Sequence, residues 1–262
     1  MIYAPKQTVA DGRIVRLENL EIYYEEYGAG EPLVLLHGFG GSGQNWYAFK
    51  ERLAKHYRLI LVDLRGHGHS TNPENRFTHR QAAKDVFLLL DELGVDRFCA
   101  MGVSTGGMIL LHMATSQPNR IEAMVLASAT THFPEQARAI MRRASFDFMP
   151  RDVQDMYREC AKRGREQIDQ LVRQFNALGD SQEDMNFTGQ ELSGIKARTL
   201  IVHGDRDTFF PVDIPVNLYQ SIPNAALWII PDSGHAAIFD PALPFTAVAL
   251  QFLRKSVGMA QP

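Results

Sequence analysis

The chain holds only two cysteines among its 262 residues, Cys99 in an apolar run and Cys160 in a polar one, with no C-x-x-C and no Cys/His spacing. That excludes a disulfide framework and a zinc finger and points to a reducing compartment. No apolar run approaches the roughly 18 residues of a spanning helix. The opening MIYAPKQTVADGRIV lacks a basic n-region followed by an apolar h-region. A soluble, cytoplasmic protein with no membrane partner is therefore expected. Charge of one sign is also missing: 27 Lys and Arg face 30 Asp and Glu, a formal net charge of −3, with no block of like charge. Nothing offers a polyanion footprint, so no nucleic-acid partner is expected. There is no internal repeat and no low-complexity tract. What remains is a chain 45% hydrophobic and 22% charged, long enough to bury a core as one domain or one domain with an insertion.

Two short runs, 14–18 and 20–26, come first. The Leu20-Ile22-Tyr24 alternation with Glu21 and Glu25 between suits a half-exposed strand, so the pair reads as an antiparallel hairpin at a sheet edge. Runs 33–36, 59–62, 98–101, 124–126, 199–202 and 227–230 are nearly continuous in apolar residues, as in parallel strands buried on both faces. Between them, 44–54, 79–93, 105–116, 212–222 and 243–254 read as helices, with Gly94 and Pro118 as stops. Strand and helix in alternation imply a doubly wound, mostly parallel α/β sheet.

From 133 to 194 that rhythm stops. No strand candidate occurs; amphipathic helical patterns run over 135–144, 152–162 and 165–178, punctuated by Pro134, Pro150, Gly164 and Gly179. A helical block of about 60 residues is too long for a simple crossover and reads as an inserted lid, leaving 1–132 and 195–262 as the core domain. Arg138, Arg142, Arg143, Arg151, Arg158, Lys162, Arg163 and Arg165 are partly offset by nearby acids and read as a solvated face of that block.

Gly102-Val103-Ser104-Thr105-Gly106 follows an apolar strand and precedes a helix, the context a G-x-S-x-G nucleophile elbow needs. Serine attacks only if a base takes its proton and a third group orients the base. Two later strand ends supply candidates: the segment 203–211, with Asp205 and Asp207, and Ser233-Gly234-His235. Open α/β sheets gather their sites at that edge.

With these residues in view the sequence resembles the α/β-hydrolase superfamily over essentially its whole length. The resemblance rests on Leu36-His37-Gly38-Phe39-Gly40-Gly41, on Asp63 to Ser70 (DLRGHGHS), on Gly102 to Gly107, on Gly204 to Pro211 and on Ser233-Gly234-His235. It implies an eight-stranded sheet with Ser104 as nucleophile, His235 as general base and Asp207 as the orienting acid. Asp207 lies four residues before the loop proline, whereas Asp205 matches a position that tethers the turn. The other histidines read as structural: His37 after the third strand, His67 in a loop, His203 at a buried strand end. Thr105 and Phe39 are the expected backbone donors of an oxyanion hole, a feature worth on the order of 3 kcal/mol per donor. Neither a metal nor an organic cofactor is implied.

A serine nucleophile excludes the haloalkane dehalogenases and epoxide hydrolases of the same superfamily, which need a carboxylate. The leading expectation is a carboxylesterase for small or medium acyl chains, with Phe39, Phe133, Met141, Phe146 and Met149 as acyl-pocket candidates. Lactone hydrolysis is its close neighbour. Three other readings stay open: a meta-cleavage carbon–carbon hydrolase, a cofactor-free haloperoxidase or perhydrolase, and a slow-turnover ligand receptor. Meta-cleavage enzymes resemble one another in a Trp soon after the histidine, where this chain has Ala236-Ala237-Ile238-Phe239. The substrate expected is a small ester or lactone; oligomeric state is left open.

Overall fold

The computed structural model describes residues 12–254. Residues 1–11 and 255–262, which carry the leader-sequence reading and the end of the second core stretch, lie outside the described residues. Eight strands, β1 Arg13–Leu17, β2 Leu20–Tyr27, β3 Pro32–Leu36, β4 Arg58–Val62, β5 Phe98–Val103, β6 Ile121–Ala127, β7 Arg198–Gly204 and β8 Ala225–Ile230, form one sheet in the order β1-β2-β4-β3-β5-β6-β7-β8. The pairs β1/β2 and β2/β4 are antiparallel and the rest parallel.

Alternation of side chains explains the apolar runs, because successive residues of a strand face opposite sides. Val34, Leu36, Ile60 and Val62 pack on one face with α2 His79–Glu92, α3 Thr105–Ser116 and α8 Asp213–Ser221. Leu33, Leu35, Leu59 and Leu61 pack on the other with α1 Tyr47–Leu53 and α9 Phe245–Leu253. The hairpin takes its expected edge place. At the opposite edge, β8 is only half-buried over most of its length, against the two-sided burial expected for 227–230, because it has a neighbour on one side alone. The helix expected from residue 44 begins instead as a 3₁₀ turn, Gly43–Trp46, with Ser42 and Asn45 closing a capping box.

Between the adjacent strands β6 and β7 the chain runs through α4 Glu135–Arg143, a 3₁₀ turn Phe146–Phe148, α5 Arg151–Cys160, α6 Gly164–Leu178 and the short α7 Gly189–Ser193. Its arginines do not form one solvated face. Arg138 is buried and donates to the carbonyls of Phe133, Gly179 and Ser181, because those chain-turning carbonyls have no helix partner. Arg163 and Gln167 reach out of the insertion to the 66–70 loop: Arg163 donates to Ser70 O and Gly66 O at 2.9 and 3.2 Å, Gln167 to Gly66 O and Gly68 O at 2.8 and 2.9 Å.

Candidate active site

Ser104 links β5 to α3 with φ 51° and ψ −116°, a region a non-glycine residue enters only at a cost of roughly 1–3 kcal/mol. Packing enforces it. A Cβ on Gly102 would overlap the backbone of Gly106, and one on Gly106 would overlap the carbonyl of Leu36, so both glycines are required for strand and helix to close on each other. The Ser104 amide donates to Ala127 O at 2.8 Å, fixing the turn to β6.

The two later segments converge on this serine. His235 Nε2 lies 3.0 Å from Ser104 Oγ and His235 Nδ1 lies 2.7 Å from Asp207 Oδ2. Asp207 Oδ1 accepts from the backbone N–H groups of Phe209 and Phe210 at 2.8 and 3.1 Å. Burial opposes ionisation of Asp207, but the His235 hydrogen bond and these amides outweigh it and hold the carboxyl below its ordinary value. Asp205 takes the other part, accepting from Ser233 N–H at 3.3 Å. His203 is buried at the end of β7 with Nε2 2.8 Å from Phe210 O, and burial lowers its pKa. An imidazole between a carboxylate and a hydroxyl can take the hydroxyl proton while the acid steadies its tautomer.

One supporting residue was not singled out from sequence. Ser128, buried just after β6, has φ 50°. Its hydroxyl accepts from the N–H of Ala236 at 3.0 Å, and Ala236 is itself left-handed at φ 57°. The residue after His235 is thereby tied to the strand that also holds the Ser104 amide.

The His37–Gly41 loop lies beside the serine: a Cβ on Gly38 would stand 3.6 Å from Ser104 Cβ. His37 Nε2 accepts from Leu64 N–H at 3.0 Å and its Nδ1 lies 2.7 Å from Gly38 O, so both ring nitrogens are engaged in holding the loop. Asp63 accepts from Gly43 N–H at 2.8 Å and from His69 N–H at 2.9 Å, tying this loop to the one after β4. Phe39 is wedged edge-on against His67 and Phe77, with ring centroids 4.8 and 5.2 Å away. Thr105, the first residue of α3, has an amide without an intrahelical acceptor.

Ser104, His235, Phe39 and Thr105 line a cavity of about 820 Å³ roofed by the insertion. Phe133, Met141 and Met149 belong to its lining, as expected, together with Met108, Ile140, Phe148, Met156, Tyr157, Phe175, Phe209 and Phe239. Phe146 does not. It packs inside the insertion with Tyr157, Ile168, Leu171 and Val172, and the Arg158 and Arg165 guanidinium groups lie 5.1 and 5.0 Å from its ring centroid. The 3₁₀ turn sends alternate residues opposite ways, so Phe146 is 6% exposed and Phe148, at the cavity, 90%. The lining is mostly apolar: besides the residues at Ser104 its polar members include Asn45, His79, Arg143, Ser145, Asp152 and Thr208. Among the described residues no group of three His, Cys, Asp or Glu side chains could hold a metal ion, and no helix is long and apolar enough to cross a membrane. Cys99 is a core residue whose thiol burial pushes up to about 11.

The family model described as alpha/beta hydrolase fold matches residues 31–167. The chain belongs to the α/β-hydrolase fold family. Within it, the chain is 30% identical over 268 residues to a 2-hydroxy-6-oxononadienedioate/2-hydroxy-6-oxononatrienedioate hydrolase of Burkholderia vietnamiensis (strain G4 / LMG 22486), covering 90% of this chain and 92% of that one. A solved structure described as Est816, an N-acyl homoserine lactone degrading enzyme, is 28% identical with a TM-score of 0.73 and covers 92% of this α/β hydrolase and 100% of its own chain. MGS-M2, an α/β hydrolase from a Medee basin deep-sea metagenome library, shares the fold at a TM-score of 0.80 and 24% identity, over 95% of this chain and 100% of its own. The family and the 30% identical relative make this chain a hydrolase, and a small-molecule substrate is consistent with them.

Proposed function

We propose that the protein is a serine hydrolase of neutral carboxylic esters and lactones, working through an acyl-enzyme on Ser104. The observation that carries this reading is the Asp207–His235–Ser104 chain of contacts at 2.7 and 3.0 Å, opening on a mostly apolar cavity. In the proposed path His235 takes the Ser104 proton as Oγ attacks the carbonyl. The N–H groups of Phe39 and Thr105 receive the oxyanion, the latter helped by the N-terminal dipole of α3. His235 then gives its proton to the leaving alkoxide, and the bond from carbonyl carbon to the leaving oxygen breaks. Water, deprotonated by His235, attacks the acyl-enzyme; collapse returns the proton to Ser104 and releases the acid. Residues 133–194 act as a lid that sets chain length, on the core 1–132 and 195–262. A cytoplasmic location stays part of the proposal, supported by two unpaired cysteines.

A second reading, carbon–carbon cleavage of a dienedioate, is favoured by the 30% identical relative. Such a substrate carries two carboxylates, and a buried carboxylate needs a cation or several donors. The described cavity lining offers Arg143 as its one Arg or Lys and adds an anion, Asp152. That balance suits a neutral acyl chain, as does the lactone named for the 28% identical Est816. The test is a panel of p-nitrophenyl esters of graded chain length, γ-lactones and a dienedioate diketone, with Ser104→Ala alongside. The proposal expects kcat/KM for the best ester or lactone at least about 100-fold above the diketone, a gap typical of binding an unmatched charge, and loss of turnover in Ser104→Ala. Diketone cleavage at equal or higher kcat/KM would contradict it.

A further inference from the structure

The cavity wall holds a second aspartate–histidine pair. His79 opens α2, and Asp184, from the insertion, closes on it: Asp184 Oδ2 lies 2.7 Å from His79 Nδ1 and accepts from the His79 backbone N–H at 2.8 Å, while Oδ1 accepts from Arg80 N–H at 3.1 Å. Three donors converge on one carboxylate, so Nδ1 carries the proton and the ring cannot turn. On the far side of the ring Nε2 is a lone-pair acceptor. It is buried and has no partner, and His79 belongs to the cavity lining. The buried nitrogens His67 Nε2 and His203 Nδ1 are also without partners, but neither of those rings lines the cavity. An unsatisfied buried polar atom calls for an explanation, and among the described residues that carry one, His79 belongs to the lining of the cavity beside Ser104.

We infer that His79, held by Asp184, is a specificity-determining residue whose Nε2 accepts a hydrogen bond from a hydroxyl or amide N–H on the acyl chain of the substrate. This rests on the ester and lactone reading above and adds a substrate class to it: acyl groups carrying a donor some carbons away from the scissile carbonyl. The His79 ring packs against Phe77 and against Phe133 of the cavity wall, centroids 5.4 and 5.8 Å away, and its hydrogen bonds go to Asp184 and not to Ser104 or His235, which leaves it the chain rather than the reacting carbon. Neighbouring side chains cover Nε2. Met108 and Met141 of the same lining are unbranched and can yield to a bound chain. Asp184 to His79 also fastens the insertion to α2, so the reader of the acyl chain sits where lid and core meet.

The experiment compares p-nitrophenyl octanoates bearing a hydroxyl, or a fluorine of similar size that cannot donate, at each carbon from the third to the eighth. At one position the hydroxyl ester is expected to exceed its fluoro partner in kcat/KM about ten-fold or more, as one buried hydrogen bond left unmade would give. His79→Phe should reduce that ratio to near one, and His79→Gln, whose amide oxygen still accepts, should retain part of it. A role in packing alone would lower the hydroxyl and plain esters together, and that result overturns the inference. So does a wild type with no preference at any position, which needs no variant to fold. Binding of the same pairs to Ser104→Ala reads the subsite without turnover. Absence of any acylation of the wild type would sink the ester reading, and equal Kd within every pair on Ser104→Ala would sink the His79 subsite.

Discussion

Ser104 and Asp207 are held by backbone positions that the neighbouring residues enforce. The serine is left-handed because Gly102 and Gly106 let β5 and α3 meet, and the acid is fixed by two loop amides as well as by His235. Asp207→Asn keeps the shape but admits the wrong histidine tautomer, so kcat should fall by about 10³- to 10⁴-fold. Asp205→Asn, at the Ser233 amide, should cost less than about ten-fold by the same standard. Steady-state kinetics on one ester decides between them; the reverse order would reassign the acid. A second residue-scale prediction concerns acid stability. Burial pushes His112 down to about 4, so the unfolded chain takes up that proton first and stability falls as pH drops from about 6.5 through 4. Asp184, despite burial, is held at about 2 by His79 and the backbone amides. Its contribution, on the order of 2 kcal/mol, is complete above about pH 4 and lost as pH falls through 2. Thermal unfolding should show Tm falling through both windows, with His112→Gln flattening the upper and Asp184→Asn the lower. A Tm independent of pH between 6.5 and 4 would refute the first assignment.

Elements were legible in the sequence where burial is two-sided or spacing carries chemistry. β3, β4 and β5, apolar without interruption, and α2, with its periodicity and Gly94 stop, lie where the pattern puts them. β6 starts three residues before the apolar run because Glu122, an exposed residue inside the strand, interrupts it. β8 has the composition of a central strand and the place of an edge strand, a matter of topology that no local pattern records. Phe146 and Phe148 lie two residues apart in a three-residue 3₁₀ turn and so face different sides, which helical periodicity does not resolve. The His79–Asp184 contact joins residues 105 apart, beyond any spacing argument. α7 did carry a signal, since Thr188 and Glu191 form a capping box. The join between α6 and the 66–70 loop yields a prediction at this scale. Gln167→Ala strips the carbonyls of Gly66 and Gly68 of a donor, so stability should drop by about 1–3 kcal/mol. Thermal unfolding measures it, and an unchanged Tm would show that the insertion is fastened elsewhere.

The molecule as a whole is one sheet with helices on both faces and a helical insertion over the carboxyl end of its strands, where strand order places a site. Ser104 comes from the end of β5, Asp207 from the loop after β7 and His235 from the loop after β8, so three separate strand ends make one constellation. The cavity lies between this edge and the insertion, and phenylalanine and methionine are prominent in its apolar lining. Such a wall suits the burial of an acyl chain at roughly 0.8 kcal/mol per methylene. Acyl transfer through Ser104 is the activity proposed for this architecture. The most direct measurement is the intact mass of the protein quenched early in its reaction with p-nitrophenyl butyrate, followed by peptide mapping. One butyryl group per chain is expected on the peptide carrying Ser104, released on standing and absent from Ser104→Ala. Turnover at wild-type rate by Ser104→Ala, or the acyl group on another residue, would contradict it.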